Sequence, residues 1–253
     1  MSPEQLKAWH HLGLGPYWQL RAPSLEQRVA RSGTDAHPGV VADLPVVFRG
    51  ADPADRADAW QMLAREIAGC EACALSKTRQ QVVVGSGAMT ARCMLIGEAP
   101  GAEEDRQGQP FVGRAGALLD QILHAAGLDR ARDVYVANTL KCRPPGNRNP
   151  EPDESERCRP FLLRQLALLE PGLIVLMGRF AAQSVLATDA PISALRGRIH
   201  QARLGASEWP CVVTYHPAYL LRNPADKAKA WRDWLVVRRE LIACGAISAL
   251  PRQ

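Results

Sequence analysis

Four of the seven cysteines stand where thiolates could share a ligand. Cys70 and Cys73 form CEAC, and Cys142 and Cys158 bracket fifteen residues of the Pro-rich run CRPPGNRNPEPDESERC. A pair two apart plus a distant pair can enclose a four-thiolate site, and soft thiolates suit Zn²⁺ or an iron–sulfur cluster without choosing between them. A zinc ribbon normally carries two tight CxxC knuckles, and here the second pair is wide. Four unrelated reduced thiols are the other reading. Cys93 and Cys211 sit inside apolar runs and Cys244 near the last helical segment, where a small buried hydrophobe is explanation enough.

A second constellation is GEAPGAEEDRQGQPFVGRAG, residues 97–116. Its glycines supply freedom where backbone must approach a ligand closely. It has neither GK[ST] nor GxGxxG, which disfavours a nucleotide-phosphate cradle. Glu98 follows an apolar run directly and is either a solvated loop acid or a working carboxylate. Phe111, in a polar loop, is a stacking platform for a planar ligand or a hydrophobic plug. Further on, Asn138 ends another apolar run. Its amide could read a heterocycle through one donor and one acceptor, or cap a turn. Lys141, Arg143 and Arg148 make the loop after it cationic and suited to phosphate oxygens. Finally, HPAYLLR (residues 216–222) places His216 before a proline, where it could stabilise negative charge or move a proton, or serve the structure alone. Leu220 and Leu221 beside Arg222 read as an exposed apolar wedge next to a phosphate clamp.

Four short, continuous apolar runs have to position these groups: Cys93–Gly97, Val134–Asn138, Leu173–Met177 and Cys211–Tyr215. Runs without alternation read as strands covered on both faces. Helical segments alternate with them: Gly116–Ala126, Cys158–Leu169, Arg179–Ala187 and Ala225–Cys244. The pattern predicts an α/β fold with a central four-stranded parallel sheet flanked by helices. Ligands of such sheets bind at the carboxyl ends of the strands, which points at Gly97–Gly101, Asn138–Pro145, Gly178–Arg179 and His216–Arg222.

Composition excludes several classes. At 253 residues, 47% hydrophobic and 23% charged, the chain has the usage of a soluble globular protein and enough length for a full core. Its longest uncharged apolar run, PGLIVLMG, falls far short of the ~20 residues needed to cross a bilayer. The start MSPEQLKAWHHLGLG lacks the basic and apolar regions of a signal peptide, so the expected location is the cytoplasm, where cysteines stay reduced. A net charge of +5 suits a polyanionic partner, and residues 222–240 hold six basic against three acidic residues. Residues 1–55, with six prolines and no sustained apolar period, read as an N-terminal arm or linker, and residues 56–253 as the principal domain.

Taken in order, CEAC, GEAPGAEEDRQGQPFVGRAG, NTLKCRPPGNRNP with the later Cys158, and HPAYLLR resemble the family 4, iron–sulfur class of the uracil-DNA glycosylase superfamily, over roughly residues 60–240. The resemblance implies that fold and a DNA repair enzyme that flips uracil out of single- or double-stranded DNA. Hydrolysis of the N-glycosidic bond would then give free uracil and an abasic site. It implies a structural [4Fe–4S] cluster on Cys70, Cys73, Cys142 and Cys158. Gly97, Glu98 and Ala99 would form the floor of the uracil pocket, Phe111 would stack on the base, and Asn138 would bond its Watson–Crick edge. His216 would lie near O2, and Glu98 with Asn147 would position or activate water. Arg143, Arg148, Leu220, Leu221 and Arg222 would meet DNA. A monomer with no membrane partner is expected. A non-catalytic nucleic-acid-binding module with a Cys₄ metal site also explains charge and cysteines, but leaves Glu98, Phe111 and Asn138 without roles. A hydrolase of a small metabolite leaves the wedge and basic stripe unexplained.

Overall fold

All four apolar runs form strands, and they pair in parallel with one another. The computed structural model describes residues 53–205 and 207–248. Most of the expected arm therefore lies outside the described residues, and its last three, 53–55, already belong to helix α1 (Pro53–Ala68). The strands are β1 (Ser86–Gly87), β2 (Cys93–Gly97), β3 (Val134–Asn138), β4 (Leu173–Met177), β5 (Ile199–Leu204) and β6 (Ser207–Thr214). They form one sheet in the order β1-β3-β2-β4-β6-β5, with β3, β2, β4 and β6 parallel and the two edge strands antiparallel.

The parallel core is thus as expected, with two added edges that sequence pattern does not reveal. β1 is a dipeptide, too short for any period. In β5 (IHQARL) only Ala202 and Leu204 are buried, so it reads as a polar loop. Every residue of β2, β3 and β4 is buried. Because successive side chains of a strand point to opposite faces, the runs divide into two cores. Cys93, Leu95, Val134, Val136, Val175 and Val212 pack under α3 (Arg114–Ala126) and α8 (Lys227–Ala243), meeting Leu119, Trp231 and Trp234. Met94, Ile96, Ala137, Ile174, Leu176 and Val213 pack under α1, α4 (Pro152–Leu169) and α5 (Arg179–Leu186). Each fully buried aliphatic side chain contributes ~1.5–3 kcal/mol relative to exposure.

Helix α4 starts six residues earlier than the apolar pattern suggests. Pro152 occupies its first turn and Glu151 and Glu154 form a capping box, so the polar PDESER segment is already helical. Short helices α2 (Ala102–Gln107), α6 (Ile192–Leu195) and α7 (Pro217–Arg222) complete the fold. β2 leads to β3 on one side, whereas β4 leads to β6 on the other. The crevice of such a sheet opens between the carboxyl ends of two strands whose connections diverge, here at Gly97 and Gly178.

Candidate active site and cysteine pocket

A cleft of about 570 Å³ opens at that point, lined among others by Glu98, Asn147, Arg179, Tyr215, His216 and Arg222. Its volume lies in the range of small-molecule sites. Glu98 is carried by the first turn after β2, which is zipped to the turn after β3. Thr139 N donates to Gly97 O (3.0 Å), and Leu140 N (3.1 Å) and Thr139 Oγ1 (2.5 Å) both donate to Glu98 O. Burial pushes the Glu98 carboxyl above the usual carboxylate range, and the charge of Arg179 opposes that rise.

Gly97, Asn138 and Phe111 do not line the cleft themselves but pack together behind Glu98 and His216, by close approach to Gly97. A Cβ added there would overlap Asn138 Oδ1 and stand 2.9 Å from Phe111 Cζ, so only glycine lets the amide and the ring meet at this strand end. Asn138 is 2% exposed, and its Oδ1 has no hydrogen-bond partner. Phe111 is buried, has φ +53°, and stacks against His216 with ring centroids 5.3 Å apart. Three devices hold this left-handed turn. Arg130 donates to the carbonyls of Phe111 (3.0 Å) and Pro110 (2.6 Å). Glu104 accepts from Gly101 N, Val112 N and Gly113 N. Gly116 lies so close to the Phe111 carbonyl that any Cβ would overlap it.

His216 caps the N-terminus of α7, its Nδ1 accepting from Ala218 N at 3.1 Å. A ring nitrogen that accepts carries no proton, so the neutral ring holds its proton on Nε2. Burial, reinforced by the charge of Arg222 and opposed by Glu104, pushes His216 down to about 4. At neutral pH the site therefore offers a neutral imidazole donor.

Below the β3 turn, Cys70, Cys73, Cys142 and Cys158 line one small pocket, of about 20 Å³, with Leu75 and Leu140. Arg79 Nη1 donates to Cys142 Sγ (3.2 Å) and to Cys70 O (2.8 Å), and Lys141 N donates to Cys158 Sγ (3.3 Å). Burial raises the Cys142 thiol and pushes Cys158 up to about 11, while Arg79 and Lys141 respectively pull them back. Among the described residues no three metal-binding side chains converge on a single ion. Four soft thiols lining one pocket, with donors aimed at two sulfurs, are a donor set that fits a thiolate-held metal group. Cys93 and Cys211 are buried in their strands, as expected, and Cys244 is exposed.

Several sequence expectations change. Leu220 is not an exposed wedge: it is 1% exposed and packs into the core under α3 and α8, because α7 turns that face inward. Leu221 is half-buried and Arg222 exposed. Arg148 is not a free cation, since its guanidinium forms a two-pronged pair with the buried Glu154 (2.9 and 2.6 Å). Lys141 is not a phosphate contact either. It is buried, and burial pulls it down to about 8 against the opposing influence of Cys158 and Cys142. Arg143 stays near the cleft and donates to Asn147 Oδ1 at 2.7 Å, holding a residue whose φ is +54°. Ala99 lines both the cleft and the edge of the cysteine cluster. The sequence reading missed Arg179, Tyr215 and Tyr219 on the cleft wall and Glu104 as the loop clamp. The strand-end rule already pointed at Gly178–Arg179, but not at a side chain.

Comparison with known proteins follows the same lines. The family model described as the Uracil DNA glycosylase superfamily matches residues 84–235. The chain is 43% identical over 166 residues to a Type-4 uracil-DNA glycosylase of Archaeoglobus fulgidus, covering 64% of this chain and 83% of that protein. It is 38% identical over 177 residues to one from Pyrobaculum aerophilum, covering 68% and 90%. A third, from Thermotoga maritima, is 39% identical over 178 residues, covering 69% and 89%.

Proposed function

The chain belongs to the Uracil DNA glycosylase superfamily, and from that premise we propose that it excises uracil from DNA by hydrolysing the N-glycosidic bond. The observation that carries this reading is the unpaired Oδ1 of Asn138, buried beside Gly97 and Phe111. A buried acceptor without a partner costs about 1–3 kcal/mol. It is offset when a ligand brings a donor, and uracil N3–H is one. Cytosine presents an unprotonated N3 at that place, so the same acceptor would face an acceptor.

The remaining roles follow from charge. A base inside a duplex is out of reach and must be flipped out. Cleavage leaves an oxocarbenium-like sugar and a uracil anion. Glu98, whose charged form the Arg179 guanidinium supports against burial, stabilises the sugar or orients water together with Asn147. The Nε2–H of His216 stabilises the charge that grows on O2, with no proton needing to be transferred. Gly97 and Ala99 offer backbone to the base, and the Phe111 ring packs on its face. Arg222, Leu221 and Arg143 meet the DNA strand, with Arg179 a further cation on the cleft wall.

Cys70, Cys73, Cys142 and Cys158 would hold a [4Fe–4S] cluster, which when bound cross-links the segment after α1, the turn after β3 and helix α4. Seven free cysteines suit a reducing, cytoplasmic setting, and a monomer is sufficient because one chain supplies every residue named. The test is release of free base from a uracil-containing oligonucleotide against a thymine control. Uracil release from the first alone is expected, and equal or absent release would overturn the reading.

A further inference from the structure

Next to Asn138 the sheet lacks a rung, and two buried side chains supply it. β1 pairs only Ser86 with Val136 and Gly87 with Tyr135. Along a parallel strand, alternate residues direct their N–H and C=O groups to opposite neighbours. Thr139 N–H turns toward β2, onto Gly97 O, so the Asn138 carbonyl faces the opposite, edge side. Continuing the register from Ser86 opposite Val136 would bring Val84 opposite Asn138. In that gap Lys141 Nζ donates to Asn138 O (2.8 Å) and to Gln165 Oε1 (2.6 Å), while Gln165 Nε2 donates to Val84 O (2.8 Å). Lys141 is 2% and Gln165 0% exposed.

We propose that Lys141 is a positioning residue for base recognition, clamping the Asn138 carbonyl and thereby fixing the direction of the Asn138 amide. The same residue touches the cysteine pocket, since its N–H donates to Cys158 Sγ and Cys142 follows it in the chain. The strand end at Asn138 and the thiol site are thereby joined through one residue, by its ammonium on one side and its backbone N–H on the other. An ammonium buried for stability alone is a poor choice, because its desolvation is often not recovered. Three donors on a long stem are well matched to two fixed acceptors across a gap. The inference rests on the reading of Asn138 as the group that recognises uracil.

The test compares wild-type protein with Lys141→Met, Gln165→Glu and Gln165→Leu, each purified with its cofactor. Iron content and visible absorbance per chain, thermal melting and affinity for an abasic-site oligonucleotide report on the scaffold. Single-turnover excision and competition by free uracil report on recognition. Lys141→Met should keep absorbance and abasic-site affinity within about twofold, yet lose about 10–30-fold in excision and be inhibited less by free uracil. Both Gln165 variants lose the bond to Val84, but only Glu keeps an acceptor for Lys141. Gln165→Glu should therefore excise at least about threefold faster than Gln165→Leu, which decides the matter even if Lys141→Met does not fold. Unchanged excision in Lys141→Met, losses that track absorbance or folded fraction, or equal rates in the two Gln165 variants would each overturn the proposal. Wild-type protein that releases no uracil would instead overturn the activity itself, and this inference with it.

Discussion

The cleft and the cysteine pocket lie at the two ends of one pentapeptide, Asn138–Cys142, and are built on opposite rules. Around the cysteines, polar groups are answered: Arg79 and Lys141 donate to sulfur, and aliphatic side chains seal the rest. In and behind the cleft, groups are left over. Asn138 Oδ1 is unpaired, Phe111 and Asn147 sit at positive φ, and Glu98 and His216 both have their charged forms disfavoured by burial. A pocket that holds a permanent guest can be completed during folding. A pocket that turns over must keep its unfavourable terms until the substrate arrives.

That contrast is sharpest for the thiols. Cys142→Ser should bleach the protein and leave it substantially unfolded, whereas Cys93→Ala, a change within a strand, should keep full visible absorbance; absorbance and thermal melts check both. If Cys93→Ala bleaches and Cys142→Ser does not, the two regions are wrongly assigned. In the cleft, His216→Ala should lower the single-turnover rate by about 10²–10³, comparable to losing one preorganised donor, with little change in product-DNA affinity.

The acid limb of the pH–rate profile should belong to Glu98 and lie above its ordinary value of 4.5. Activity falls as Glu98 gains a proton with decreasing pH, whereas His216 stays neutral until about 4. In Glu98→Gln the residual rate should accordingly be flat from pH 8 to about 5. A limb that persists in this variant would remove Glu98 as its source. Smaller effects separate the arginines. Arg222→Ala should weaken binding of all DNA sequences and reduce the log–log salt slope by about one. Arg148→Ala should leave that slope unchanged and cost stability through the abandoned Glu154. Smallest of all, Leu221→Ala should impair excision from duplex a few-fold more than from single strands, because only duplex has to be unstacked.

What could be read from the sequence follows the physics of each element. Strands buried on both faces announce themselves as continuous apolar runs, and position alone singles out Glu98, Asn138 and His216 as the groups at their carboxyl ends. β5 was hidden because an edge strand with one wet face looks like a loop. Leu220 and Leu221 could not be told apart, since six residues of α7 do not define which side faces inward. Arg148 reads as a free cation because its partner Glu154 lies six residues away, beyond a loop. Lys141 reads as part of a cationic loop because nothing in KCRPPGNR discloses a missing rung in a sheet 55 residues upstream.

The proposed stacking residue also ties endurance to affinity. The backbone at Phe111 stands at φ +53°, where a residue with a side chain is strained. Its conformation is held before any base arrives, so ordering the ring draws nothing from the binding step. The corresponding strain is present in every unliganded molecule. Phe111→Gly would relieve that backbone but discard the ring, so screens for heat-resistant variants that retain function should spare this position and improve the protein elsewhere.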